Sequence, residues 1–359
     1  MNFDLSEDQG FIKRTAREFL AARYPLEEVR RLALEDERGF TDAQWEEIAG
    51  LGWPELAVPE DQGGQGLGAV ELAVVAEELG YALAPAPLQS TWAAALLLAA
   101  AGEAPRLAGG RRGTVALWDE DMGRQLTEQT LEPAGGKLTG TKLVVPDAAA
   151  ADLLVVVAAG GRHFVVETGA PGVGIEPAEA LDTTRRYATV TLEGVEAEEF
   201  SGDFEPAWRQ VTLAIAAESV GVAQRALEMS VTYAKERTQF DRPIGSYQAV
   251  SHRCAQMLLE VEGARSAVMW AAWAIDHEPE TAPLAVSAAK AYASDCGARV
   301  TGAAIQVHGG IGFTWEHDLH FFFKRGWSNA HAYGDARFHR DRVADELFSR
   351  SGSAAPHAA

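Results

Sequence analysis

The sequence predicts an α+β chain in three consecutive parts, helical at both ends and β in the middle. Three observations predict it. From Ser6 to about Gly102, apolar residues recur at helical spacing. Between Thr114 and about Phe200 the period shortens to two, in short β-branched runs divided by turns. From Ala207 onward the helical period returns in stretches long enough for a bundle of four antiparallel helices. At 359 residues the chain also exceeds what one simple core organises. The expected boundaries are 1–110 for an N-terminal helical domain, 111–205 for a middle β-barrel or sandwich, 206–350 for the bundle and 351–359 for a small, polar, flexible tail.

In the first part Ser6 opens a helix through Leu20, with Glu7 and Asp8 in the first turn, where the helix dipole favours carboxylates. Thr41 opens another that carries Trp45, Ile48 and Leu51 at helical spacing. A glycine-rich connection over 52–66 then leads to a helix bearing Glu77-Glu78-Leu79-Gly80. In the middle part, strands are expected at 115–118, 142–145, 153–157, 163–166 and 188–192. Turns such as 134–137 and 171–174 separate them, and no helix intervenes. The last part reads as helices at 207–238, 247–276, 283–306 and 318–348.

Composition narrows the function. Hydrophobic residues make up 47%, an ordinary globular content. The net charge of −21 argues against a nucleic-acid partner, whose phosphates need a cationic surface. A phosphorylated small cofactor needs only a local cluster of positive groups. Cys254 and Cys296 lie far apart on expected helices and read as buried small hydrophobes; no His, Cys or Asp group has metal-ligand spacing. The N-terminus has no basic-then-apolar leader pattern, and the most apolar run, 92–101, is about half the length that spans a bilayer. The expectation is a cytoplasmic protein with no membrane span.

Two segments carry the chemistry. Arg237-Thr238-Gln239-Phe240-Asp241-Arg242-Pro243-Ile244 follows one long helix, and Gln306-Val307-His308-Gly309-Gly310-Ile311-Gly312-Phe313 follows another. An arginine fork matches phosphate oxygens, and glycines let a backbone approach a ligand closely. In this order inside a helix-rich region, the pair resembles the C-terminal domain of the acyl-CoA dehydrogenase family of flavoenzymes. The 52–66 connection is similar to that family's N-terminal domain, and the resemblance covers nearly the whole chain. It implies FAD bound across a subunit interface, with the flavin ring on one subunit's β-domain and the rest of the cofactor on the neighbour's bundle. By the same resemblance Arg237, Gln239 and Phe240 stand at the pyrophosphate, and Gln306, Gly309 and Gly310 at the adenosine. His308 reads as a loop hydrogen-bonder.

The chain departs from the family elsewhere. Family members carry a Thr-Glu-Pro-type loop with a glycine-serine pair at the flavin; here the stretch is Leu117-Trp118-Asp119-Glu120-Asp121-Met122-Gly123, with no such serine. Gly140-Thr141-Lys142 is kept, but Val144 replaces the aromatic platform and Pro146 the hydroxyl. The family's glutamate base has two known positions, and this chain has Tyr333 at one and Val211 at the other. A tyrosine with pKa near 10 is a poor base at neutral pH. The catalytic base is therefore unknown, with Asp335, Glu120 and Glu218 as substitutes. Glu218, flanked by apolar residues, reads mainly as a structural carboxylate needing a partner. Basic residues at Arg185-Arg186, Lys324-Arg325, Arg337 and Arg340 read mainly as ion-paired surface, with CoA phosphates or FAD as the functional alternative.

The resulting expectation is a subunit of an FAD-dependent, α,β-desaturating acyl-CoA dehydrogenase, in a hetero-oligomer with a related chain, two of each. Its substrate would be an acyl-CoA, as for family members acting on steroid side-chain thioesters, and an electron-transfer flavoprotein its acceptor. The aromatic run 321–327 would lie at core or subunit interface. The alternatives are a self-sufficient homo-oligomer with a non-standard base, or a scaffold that has lost FAD.

Overall fold

The computed structural model describes residues 4–119 and 128–351. Five helices come first: α1 (Glu7–Arg23), α2 (Leu26–Glu35), α3 (Asp42–Gly50), α4 (Ala69–Ala82) and α5 (Leu88–Ala99). The starts read from the sequence hold for α1 and α3. Ser6 and Thr41 each accept from the N3 backbone amide while the Gln9 and Gln44 side chains reach back to the cap. The sequence reading missed α2, whose Val29, Leu32 and Ala33 are buried.

Among the described residues seven strands follow: β1 (Gly113–Ala116), β2 (Lys137–Pro146), β3 (Leu153–Ala158), β4 (Arg162–Glu167), β5 (Val173–Ala178), β6 (Tyr187–Glu196) and β7 (Glu198–Phe200). They form two sheets, ordered β1-β3-β4-β7 and β2-β6-β5, antiparallel except for the β1–β3 pair. Leu138, Val145, Val190 and Leu192 of one sheet share a buried cluster with Leu154, Val156, Phe164 and Val166 of the other. Alternate strand residues from two sheets meeting in one core make a sandwich.

The helical last part comprises α6 (Glu205–Glu236), the short strands β8 (Thr238–Gln239) and β9 (Arg242–Pro243), α7 (Gln248–His277), α8 (Ala282–His308), α9 (Leu319–His331) and α10 (Ala336–Ser351). The single helix expected over 318–348 is two helices. Tyr333 (φ 53°) and Gly334 (φ 101°) lie in the left-handed region, which ends α9 before α10 begins.

In space the chain gathers into two compact units. One holds the chain up to Arg30, Gly68–Ala84 and Thr212 onward; the other holds Arg31–Leu67 and Pro85–Val211. In the first, α4 and α6 cross almost backbone to backbone. A Cβ on Gly221 would stand 1.9 Å from the Glu77 carbonyl oxygen, and one on Gly80 would stand 2.1 Å from that of Glu218. In the second, the Trp45 indole donates to the Gly110 carbonyl (2.6 Å) and that of Trp92 to the Trp53 carbonyl (2.6 Å). No described helix is long and apolar enough to cross a membrane, and among the described residues no His, Cys, Asp or Glu group could hold a metal.

Candidate cofactor half-site and acyl-site residues

The last turn of α6 runs into the first candidate segment. The Arg237 amide donates to the Tyr233 carbonyl (2.8 Å), and the Ile244 amide returns to the Arg237 carbonyl (2.8 Å). Between them β8 and β9 pair as a hairpin, Thr238 opposite Pro243 and Gln239 opposite Arg242. Its two loop residues, Phe240 and Asp241, have φ of 54° and 63°. Two-residue hairpin loops require this geometry but ordinarily fill it with Asn or Gly. Phe240 is held there 87% exposed, its ring meeting that of Tyr247 edge-on with centroids 6.4 Å apart, a costly arrangement for so little burial. Arg237 and Gln239 are exposed beside it. Among the described residues no partner holds the Arg237 guanidinium.

The second segment leaves the end of α8. Gly309 adopts φ 65°, ψ −143°, a conformation open only to glycine, and its amide donates to the Ile305 carbonyl. Gly310 has an ordinary φ and open space where a Cβ would stand, so the chain's own packing does not require glycine there. Gln306 is exposed. The two segments meet through their preceding rings, Tyr233 stacking on His308 with centroids 4.5 Å apart and planes at 22°. Both follow helix C-termini, the negative ends of the dipole, so an anion is met by side chains and post-helical amides rather than by the helices. His308 is buried; its Nδ1 donates to the Ala304 carbonyl (2.8 Å), and burial holds its pKa below the ordinary imidazole value.

In the other unit, Lys142 is fully buried. Its ammonium is 2.6 Å from the Asp119 carboxylate and donates to the Leu117 and Val157 carbonyls at 3.0 and 2.5 Å. Burial pulls its pKa down, against the pull of Asp119. The Asp119 carboxylate in turn accepts from the Thr130 and Leu131 amides. Past Lys142 the β2–β6 register shifts, and Val144 stands in the bulge with φ 53° and 43% exposed. A β-branched residue there is a true outlier. The Pro146 carbonyl accepts from the Thr114 hydroxyl (2.5 Å).

The α9–α10 break is built around Lys290. Its ammonium, also fully buried, donates to Ser294 Oγ (2.9 Å) and to the carbonyls of Asn329 (3.1 Å), Ala330 (3.4 Å) and Gly334 (2.9 Å). A cation at the end of α9 satisfies carbonyls that lack helical partners. Burial lowers the Lys290 pKa to about 7, with Asp335 opposing. The Tyr333 carbonyl accepts from His339 Nε2 (3.0 Å), and burial pushes that imidazole down to about 3.

The comparisons with known proteins decide the family. Residues 211–348 match the model of the acyl-CoA dehydrogenase C-terminal domain, and residues 6–105 that of the N-terminal domain. The chain is 33% identical over 351 residues to acyl-CoA dehydrogenase IpdE2 of Mycolicibacterium smegmatis, covering 96% of this chain and 100% of that protein. The chain belongs to the acyl-CoA dehydrogenase family. Among solved structures it is similar to the Tcur3481-Tcur3483 steroid ACAD (TM-score 0.88, 32% identity, 97% of this chain and 99% of that one). It is likewise similar to a chain of the ChsE4-ChsE5 complex of Mycobacterium tuberculosis (TM-score 0.87, 30% identity, 99% and 100%).

Within this acyl-CoA dehydrogenase fold, the substitute bases have other partners. Glu218 and Arg325 form an ion pair at 2.5 Å with both side chains fully buried. The Asp335 carboxylate accepts from the Phe338 amide (2.8 Å) and so caps α10. Val211 is buried in α6, and Glu120 lies outside the described residues. Several of the basic residues are engaged as well, while Arg337 is exposed. The Arg186 guanidinium donates to the Leu32, Asp36 and Glu37 carbonyls, Arg340 pairs with Asp295, and the Lys324 ammonium sits 4.3 Å from the Trp315 ring centroid. Sequence reasoning missed Lys290, although a lone cation in Ala288-Ala289-Lys290-Ala291 is the same kind of signal that drew attention to Glu218. Of the aromatic run, Phe321 and Phe322 are core, while Trp327 is 42% exposed.

Proposed function

We propose that this chain is one subunit of an FAD-dependent acyl-CoA dehydrogenase, supplying the adenosine and pyrophosphate side of a shared FAD site. The observation carrying this reading is the juxtaposition of the Arg237 hairpin with the Gln306–Gly310 loop. Arg237 neutralises the pyrophosphate through charge-assisted bonds, Gln239 and Gln306 hydrogen-bond the cofactor, and Gly309 and Gly310 let it lie close to the backbone. The open face at Gly310, the unpartnered guanidinium and the strained exposed Phe240 all fit an occupant from outside the chain. When bound, FAD supplies a hydride acceptor for the β-carbon of the acyl group.

The chain's own contribution to proton abstraction is absent in this reading. Tyr333 stands where the family's glutamate would be, Val211 fills the other position, and Asp335 and Glu218 are engaged elsewhere. The base and the flavin-ring contacts then come from a related partner chain, two of each, with about one FAD per pair. The pairing in the solved relatives ChsE4-ChsE5 and Tcur3481-Tcur3483 supports this assembly. We assign an acyl-CoA substrate, an electron-transfer flavoprotein as acceptor, the cytoplasm as compartment, and the domain division at 1–110, 111–205 and 206–350 as part of the same reading.

Flavin absorbance per chain and native mass, measured for the chain alone and co-expressed with a related chain, test it. The expected result is an even mixture with one FAD per pair, and Arg237→Ala should weaken FAD by about 1.5–3 kcal/mol. A homotetramer holding one FAD in every chain, or equal flavin retention by Arg237→Ala, overturns the reading.

A further inference from the structure

Between the two cofactor-facing loops lies a ring stack that the cofactor contacts do not account for. Tyr233 stands one helical turn before Arg237 and half-buried; His308 is the last residue of α8, immediately before Gly309. His308 is 4% exposed although Gln306, Gly309 and Gly310 around it are exposed. Its ring is held from three sides. Tyr233 stacks on one face, His317 lies with its centroid 4.7 Å away, and Nδ1 donates to the carbonyl one turn back on its own helix. That last bond places the proton on Nδ1 and leaves Nε2, buried and without a hydrogen-bond partner, as a lone pair.

The third glycine of the segment packs on the same residue. Gly312 is buried, and a Cβ there would stand 2.8 Å from the His308 Cβ and 3.3 Å from the Ile305 carbonyl oxygen. Only glycine lets the loop fold back over His308. Gly309 and Gly310 face open space, whereas Gly312 packs on the Cβ of His308, so the glycines of one motif divide between two tasks.

We propose that His308 is a positioning residue of the cofactor half-site, its ring stacked on Tyr233 so that the Arg237 hairpin and the Gln306–Gly310 loop are fixed relative to each other. This rests on the half-site reading given above. In this role the buried His308 acts by setting the rotation of the last turn of α6 against the end of α8. A loose register between the two loops separates the arginine from the glycine face and weakens a ligand that must engage both.

The test is the FAD dissociation constant of the co-expressed complex, read by flavin fluorescence, beside its thermal midpoint. An aromatic stack of this kind is worth a few-fold in an equilibrium, so His308→Ala should weaken FAD about 3- to 10-fold. His308→Phe keeps a ring against Tyr233 and should restore the parent value. Tyr233→Leu should weaken FAD to a similar extent, Tyr233→Phe should not, and the Tyr233→Leu/His308→Ala pair should cost less than the two singles combined. Should His308→Ala fail to assemble, Tyr233→Leu and its rescue by Tyr233→Phe decide the matter from the α6 side. Parent-like FAD binding by His308→Ala or Tyr233→Leu, with Arg237→Ala still weakened, overturns this inference alone. Parent-like binding by Arg237→Ala overturns the half-site and the inference with it.

Discussion

Replacing Glu218 with Gln separates a structural carboxylate from a catalytic one. The change keeps size and shape and removes one charge. Arg325 stays behind, fully buried, 2.5 Å from an amide rather than a carboxylate. Two unit charges about 4 Å apart attract by about 4 kcal/mol at an effective dielectric near 20. The measured cost of removing one member of a buried pair, about 3–5 kcal/mol, has the same size because the remaining charge is left desolvated. Glu218 also lies where α4 and α6 nearly touch, since Gly80 faces its carbonyl, so relaxation that would admit water has little room. Urea unfolding followed by far-UV circular dichroism should show the midpoint of Glu218→Gln lowered by about 1 M or more. Exchanging both partners, Glu218→Met with Arg325→Met, should recover most of that loss, because a pair of apolar side chains needs no compensation. A Glu218→Gln protein as stable as the parent, yet without turnover in the assembled complex, would refute this reasoning and make Glu218 the base.

Two further outcomes follow from strained or buried groups. Val144→Gly should stabilise the chain by about 1 kcal/mol, since glycine accepts the positive φ without the Cβ clash while costing some backbone entropy; a lowered urea midpoint would mean that the valine side chain packs on something that matters more than the strain. Burial holds His163 and His320 at about 4 and His339 at about 3, so between the ordinary value of 6.5 and these pKa values the unfolded chain binds protons that the folded chain does not. Stability is therefore unaffected by these groups above pH 6.5 and falls below it, by up to about 1.4 kcal/mol per pH unit for each histidine; equal urea midpoints at pH 7 and pH 5 would contradict this, and His163→Phe should flatten the slope.

The fold was legible wherever the signal was periodic. Helix starts at Ser6 and Thr41 were readable because a capping box is a local device with its own residues. The two-sheet sandwich was readable as a class because alternate apolar residues declare a buried face. The break at Tyr333–Gly334 was not read, although Gly334 followed by Asp335, which caps α10, is a local stop-and-start signal. Lys290, far away in sequence, also holds the carbonyls at that break, and such a tertiary anchor leaves no mark beside the break itself. Ion pairing was the main reading of Arg186, Arg325 and Arg340, but the sequence could not name their partners or show that Arg325 is buried. α2 was missed because its short stripe of Val29, Leu32 and Ala33 lies among charges.

The candidate site divides along the same physical line. Charged groups that the chain engages for itself are turned inward and satisfied, as with Lys142 on Asp119, Lys290 on the end of α9, and Arg325 on Glu218. Folding alone accounts for each of them. The Arg237 hairpin is the opposite case. A phenylalanine and an aspartate occupy left-handed backbone positions, the phenylalanine is almost wholly exposed, and the neighbouring guanidinium holds no partner among the described residues. Strain and exposed apolar surface destabilise a free chain. The proposed cofactor gives that geometry a reason. The acyl-site positions show no such unmet demand: Val211 is packed, Asp335 caps a helix, and the Tyr333 backbone is clamped through Lys290 and His339. In the proposed reading, a chain that holds one half of a composite site ready while tying down the other half lends the first half to a neighbour. The even mixture proposed above is what that asymmetry favours, and a homotetramer with every site filled would overturn the proposal.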